Sequence, residues 1–164
     1  MVWNMGWKHL MGAIDYERAA IGNPGLVTST FDRMIKHCTE TKDHGRRLAD
    51  DPVVSHRLAE LYVEVEGARL LGYWVASMHA QGQQPQHETS VVALVKRETV
   101  RAMDSFGLEL LGPLAQLKRG DPLAPEDGGF EYDYKENLYF HFAAGGMDIT
   151  RNVIALRGLE LPRG

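Results

Sequence analysis

Between Val54 and Met78 the apolar residues Val54, Leu58, Leu61, Val65, Ala68, Leu71, Val75 and Met78 recur in steps of three and four. That spacing places them on one face of an α-helix and cannot place them on one face of a strand. Sustained for about seven turns, the stripe commits the chain to a long helix that must bury one side against other helices. Asp51 followed by Pro52 supplies an N-cap and a proline at the first helical position. Gly82, ahead of Pro85, ends the helix.

The rest of the chain repeats this pattern. A further helix is expected from His87-Glu88 to Leu110 or Leu111, with Val92, Val95, Thr99, Met103, Phe106 and Leu110 on one face and Gly112-Pro113 as its stop. Toward the N-terminus, Leu10, Met11, Ile14 and Ile21 and then Phe31, Met34 and Ile35 carry helical spacing, interrupted by a kink or short break at Asn23-Pro24-Gly25. Residues 42–47 are expected to form a loop. The stretch from Leu114 to Tyr134, with Gly120, Pro122, Pro125, Gly128 and Gly129, reads as one long irregular excursion. A last helix is expected from Asp148 to Leu156. The expected fold is all-α: an antiparallel up-and-down bundle of about four long helices, forming a single domain over residues 1–164.

Composition narrows the function. A net charge of −4 offers no basic surface for nucleic acid or an anionic membrane. No apolar stretch approaches the ~18 residues of a membrane span, and Met1 to Lys8 lacks the pattern of a signal peptide. Cys38 is the sole cysteine, which excludes an internal disulfide and suits a reducing cytoplasm. No Glu-x-x-His pair is present, and His37, Cys38 and His44 lack zinc spacing, so no metal is expected. Trp3, Trp7 and Trp74 read as core or interface residues.

The motifs are more specific. Gly6-Trp7-Lys8 with Leu10 leads into Ile14-Asp15-Tyr16-Glu17-Arg18. Leu58-Ala59-Glu60-Leu61 and Ala68-Arg69-Leu70-Leu71 follow, then Lys96 and Leu110-Leu111-Gly112-Pro113. The chain closes with Ala143-Ala144-Gly145-Gly146-Met147-Asp148-Ile149-Thr150-Arg151-Asn152-Val153-Ile154-Ala155 and Gly158-Leu159-Glu160-Leu161-Pro162-Arg163. In this order and spacing they resemble the C-terminal helical domain of the acyl-CoA dehydrogenase family, from Gly6 to Arg163. The resemblance implies flavin-dependent oxidation of an acyl-CoA thioester to its 2,3-enoyl form. It also implies that the family's N-terminal helical and middle β-domains lie outside this chain.

That chemistry needs one carboxylate against the α C–H, in a dry pocket that raises its basicity. In the family this base stands either just before the glycine of the C-terminal signature or on the first helix of this domain. Ala144 occupies the first position and cannot accept a proton; Glu17 occupies the second. The resemblance therefore makes Glu17 the catalytic residue, whereas its spacing alone also fits a solvated glutamate on an amphipathic helix. Asp15, Tyr16 and Arg18 share the segment that runs along the CoA substrate in the family, and Gly145 joins them as a substrate-binding residue. Arg18 suits a phosphate or carbonyl through its fixed fork of donors.

Gly146, Met147 and Asp148 stand where the family binds FAD. Glycines there allow close backbone approach to a phosphate, but the family's Thr-Ser-Glu has become Gly146-Met147-Asp148, which loses a hydroxyl hydrogen bond. The family's Arg-x-x-Phe-Gly motif reads Thr41-Lys42-Asp43-His44-Gly45, keeping only the glycine, and a glycine-rich turn is replaced by Leu111-Gly112-Pro113-Leu114-Ala115. A weakened or shared FAD site is expected. Two readings stay open: a C-terminal domain or split subunit of an acyl-CoA dehydrogenase, or a non-catalytic assembly protein derived from that domain. Either is expected to be a homo-oligomer or to join a chain supplying the missing domains.

Overall fold

A computed structural model describes residues 5–21, 24–143 and 145–163, apart from some side chains of the first helix and those of Pro24 and Phe140. Among the described residues six α-helices carry the fold: α1 (Gly6–Ile21), α2 (Pro24–Glu40), α3 (Pro52–Ala80), α4 (Glu88–Leu111), α5 (Gly129–Phe140) and α6 (Met147–Val153). The all-α expectation holds, with α3 and α4 at their expected lengths and additional shorter helices beside the about four long ones expected.

Local chemistry explains the boundaries. Pro24 opens α2 at the position where a missing N–H costs least, so the Asn23-Pro24 break separates two helices; Gly22 and Asn23 themselves lie outside the described residues. Asp51 caps α3 as expected, its Oδ1 accepting from the backbone N–H of Val53 at 2.7 Å and of Val54 at 3.3 Å. Residues 42–47 are a small hairpin: Lys42–Asp43 pairs antiparallel with Arg46–Arg47 across a turn at His44-Gly45, both at positive φ.

The core lies between α2, α3 and α4. Val27, Phe31, Met34 and Cys38 from α2 meet Leu58, Leu61 and Val65 from α3 and Met103, Phe106 and Leu111 from α4, and Phe130 of α5 closes the cluster. Burial pushes the Cys38 thiol up to about 11, which makes it an inert core group. The central helix is α4, against which α1, α2, α3, α5 and α6 all pack.

Two expectations are corrected. The excursion over 114–134 is interrupted by α5, which begins at Gly129. Its residues alternate aromatic and charged side chains and bury chiefly Phe130, so no broad apolar stripe announces it. The last helix, expected from Asp148 to Leu156, starts at Met147, ends at Val153 and loosens into a wider turn over Ile154–Gly158. Of the tryptophans, Trp7 (73% exposed) and Trp74 (44% exposed) are outside the core; Trp3 lies outside the described residues.

Candidate functional site

The C-terminal signature folds as a turn tied to α4. Gly145 has φ +95°, a conformation that L side chains avoid, so glycine is needed there. Arg97 of α4, only 3% exposed, reaches under this turn. Its Nη1 donates to the Gly145 carbonyl at 2.9 Å and to Thr150 Oγ1 at 3.3 Å, and its Nη2 donates to the Ala143 carbonyl. Thr150, fully buried, donates from Oγ1 to the Gly146 carbonyl at 3.1 Å. One buried guanidinium and one hydroxyl thus hold the main-chain carbonyls of a glycine turn.

Beside the turn, α4, α5 and α6 enclose an open cavity of about 670 Å³. Its wall includes Arg101, Asp104, Tyr134, His141 and the three residues expected to face FAD, Gly146, Met147 and Asp148. Open space surrounds the position a Cβ on Gly146 would take, so a ligand could approach the backbone there. The Asp148 side chain is 97% exposed and makes only a loose ion pair with Arg151 at 3.5 Å. His141 Nδ1 is sealed from solvent without a partner among the described residues. Burial, with Arg101 and Arg97 nearby, holds the His141 imidazole below its usual range and so favours the neutral ring.

Asp104 is the buried acid of this wall. Asn137 of α5 donates to both of its oxygens, at 3.1 and 2.9 Å. Burial nonetheless pushes its carboxyl up to about 6; the Asn137 bonds oppose the rise, Asp133 adds to it and Arg33 opposes it. The folded chain therefore holds this proton to higher pH than the unfolded chain, whose carboxyl titrates near 3.8. Stability contributed by the protonated acid is complete below about pH 4 and is lost as pH rises through about 6. Asp104→Asn should remove this loss. We expect the variant to exceed the parent at pH 8 by on the order of 2 kcal/mol, with the gap closing at pH 4, as read from melting temperatures at the two pH values.

Of the residues expected to meet substrate, Gly145 is in this turn, whereas those of the first helix lie elsewhere. Glu17 is on α1 with an exposed side chain, and it is not in the cavity wall. Asp15, Tyr16 and Arg18 share its helix; their side chains are outside the described residues. The glycine turn and Glu17 are related through α4, on which both α1 and α6 pack.

Reasoning from sequence missed Arg97 and Asp104, since charged residues in a helix are usually solvated. A signal was available. Ala93, Arg97, Val100, Asp104 and Gly107 fall on one helical face at steps of four and three, so the two charges share a stripe with small and apolar residues. Among the described residues no helix is long and apolar enough to cross a membrane, and no group of three or more His, Cys, Asp or Glu could hold a metal.

Comparison with known proteins agrees with this arrangement. The family model described as acyl-CoA dehydrogenase, C-terminal domain, matches residues 4–159. The acyl-CoA dehydrogenase FadE26 of Mycobacterium tuberculosis is 27% identical over 98% of this chain and 41% of its own length. The glutaryl-CoA dehydrogenase of Desulfococcus multivorans is 27% identical over 92% of this chain and 38% of its own. A chain in the crystal structure of the ChsE4-ChsE5 complex from M. tuberculosis superimposes with a TM-score of 0.85 at 26% identity, covering 98% of this chain and 42% of that one. This chain thus spans about two fifths of the length of these relatives. The helices packed around α4 and the match along nearly all its residues make this chain a member of the acyl-CoA dehydrogenase C-terminal domain family.

Proposed function

We propose that this chain is the C-terminal helical part of a flavin-dependent acyl-CoA dehydrogenase that oxidises an acyl-CoA thioester to the 2,3-enoyl-CoA. The observation that carries the proposal is the family match along residues 4–159. Residues 1–164 act as one domain, and the N-terminal helical and middle β-domains come from a longer polypeptide or a second chain. In that assembly the Glu17 carboxylate accepts the proton from the substrate's α-carbon. The exposed side chain leaves it available, and a covering domain would exclude water and raise its basicity. Asp15, Tyr16, Arg18 and Gly145 line the acyl-CoA. Gly146, Met147 and Asp148 border FAD on one side of the cavity, and the other side is supplied in assembly. FAD, when bound, supplies the acceptor for the hydride.

The chemistry of the cavity wall suits such a half-site: Arg101 and His141 can donate, Tyr134 and Met147 can cover a planar group, and Gly146 lets it approach. Assembly is further supported by Tyr62, Val63, Leu70, Tyr73 and Trp74, which give α3 an exposed apolar outer side. The related ChsE4-ChsE5 structure is itself a complex.

A second reading, a non-catalytic assembly domain, is favoured by Gly146 and Met147, which offer no hydroxyl to the nucleotide where the family has Thr and Ser. Purification of the full assembly separates the two. A yellow sample whose flavin absorbance bleaches on addition of acyl-CoA is expected from the enzyme. A colourless assembly of the same mass leaves only the second reading.

A further inference from the structure

We infer that Arg97 is the positioning residue of the Gly145-Gly146 turn, setting the direction of the turn's amides at the mouth of the cavity. This rests on the reading above that the turn borders the flavin. The Ala143 and Gly145 carbonyls are both held by the Arg97 guanidinium, and the Gly146 carbonyl is held by Thr150 through both Oγ1 and its backbone N–H, the latter at 3.0 Å. The acceptors of the turn thus point inward, toward α4 and α6. A trans peptide sets its N–H opposite its C=O. With the Gly145 carbonyl drawn onto Arg97, the Gly146 N–H is directed the other way, and Gly146 lines the cavity. The inward-facing carbonyls and the outward-facing donor are two consequences of one contact.

Why an arginine is used also follows. Tying α6 to α4 needs only apolar packing, and burying a cation carries a desolvation cost that packing avoids. A guanidinium adds geometry: a planar fork of donors that can engage several carbonyls at fixed angles. A lysine ammonium is a point charge on a flexible stem and cannot reproduce this. Gly145 at φ +95° lacks a side chain to limit its backbone, so the turn needs an external clamp if it is to hold one conformation. Arg97 is not proposed to touch the reacting atoms; it acts through the turn.

The experiment compares the native chain with Arg97→Met, which keeps length and removes charge, and Arg97→Lys, which keeps charge and removes the fork. Amide hydrogen exchange is read over residues 143–150 and, as an internal reference, over α3, and the affinity of the full assembly, carrying the native chain or each variant, for FAD is measured by fluorescence titration. In both variants exchange at 143–150 should rise about tenfold or more, with α3 unchanged. Loss of charged hydrogen bonds should weaken FAD binding about tenfold or more in Arg97→Met, with partial recovery in Arg97→Lys. If Arg97→Met does not fold, Arg97→Lys carries the test by the same readouts. Exchange at 143–150 unchanged in the folded variants would overturn the inference, because the turn would then be held without Arg97. If exchange rises but the native assembly takes up no FAD, Arg97 keeps its role and the flavin reading of this half-site falls.

Discussion

Glu17→Gln, introduced into the assembly that contains the missing domains, should lower acyl-CoA dehydrogenation by ~10²–10⁴-fold, the usual loss when a general base is removed. The amide is nearly the same shape as the carboxylate but cannot take up the α-proton. Folding should be unaffected, because Glu17 is exposed and makes no hydrogen bond or ion pair among the described residues. Flavin absorbance and melting temperature are therefore the controls, and both should match the parent. The KM for acyl-CoA should change little, since the substitution acts on proton transfer rather than on binding. Dehydrogenation at the parental rate would remove Glu17 from the mechanism. With Ala144 at the alternative position, it would leave the chain without a base of its own and favour the assembly reading.

The second large effect concerns stability. Gly128 has φ +67°, and a Cβ there would lie 2.6 Å from the backbone nitrogen of Arg119 and 2.7 Å from the carbonyl carbon of Lys118. Neither is the end of a flexible side chain, so the clash can be relieved only by moving main chain. Left-handed strain and overpacking together should cost about 3 kcal/mol in Gly128→Ala, a fall in melting temperature of roughly 6–12 °C for a chain of this size. The position matters because Glu126 and Asp127 also have positive φ, and this run turns the chain into α5. Asp127 Oδ1 accepts from the Gly120 N–H at 3.0 Å, and Glu126 reaches His37 Nδ1 at 3.3 Å. A melting temperature within a degree or two of the parent would show that the 118–128 loop can open at little cost.

Much of the fold was legible because burial in α3 and α4 follows the 3.6-residue period. Leu58, Leu61, Val65, Ala68 and Val75 are buried, as are Val92, Thr99, Met103 and Phe106. What escaped was set by tertiary contacts. The sequence before α5 has the glycines and prolines of a loop, and α5 is held by particular contacts rather than a broad stripe: Phe130 fills the space over Gly107, Arg33 pairs with Asp133, and Asn137 donates to Asp104. None of these has a local signature. In the candidate site, the glycine turn and the position of Glu17 were visible as motif residues; the stripe of α4 marks Arg97 as buried, but its partners, the Ala143 and Gly145 carbonyls and the Thr150 hydroxyl, lie far along the chain and have no local signature.

The central place of α4 also bears on the order in which the molecule is assembled. The α3–α4 hairpin closes across the short connection at 81–87, but α1 must find α4 across the whole of α2 and α3, and α6 must reach it from the far side of α5. Local pairings form early and distant ones late, so the proposed proton acceptor and the glycine turn join the structure after the hairpin is made. The same hierarchy run backward makes them the first to separate in partial opening. During refolding, mild heating or synthesis, the chain can thus hold a cooperative hairpin core before its chemistry is in place. In such conditions loss of the proposed chemistry should precede loss of the α3–α4 hairpin, and a probe of that hairpin alone would report as native a molecule whose site has already come apart.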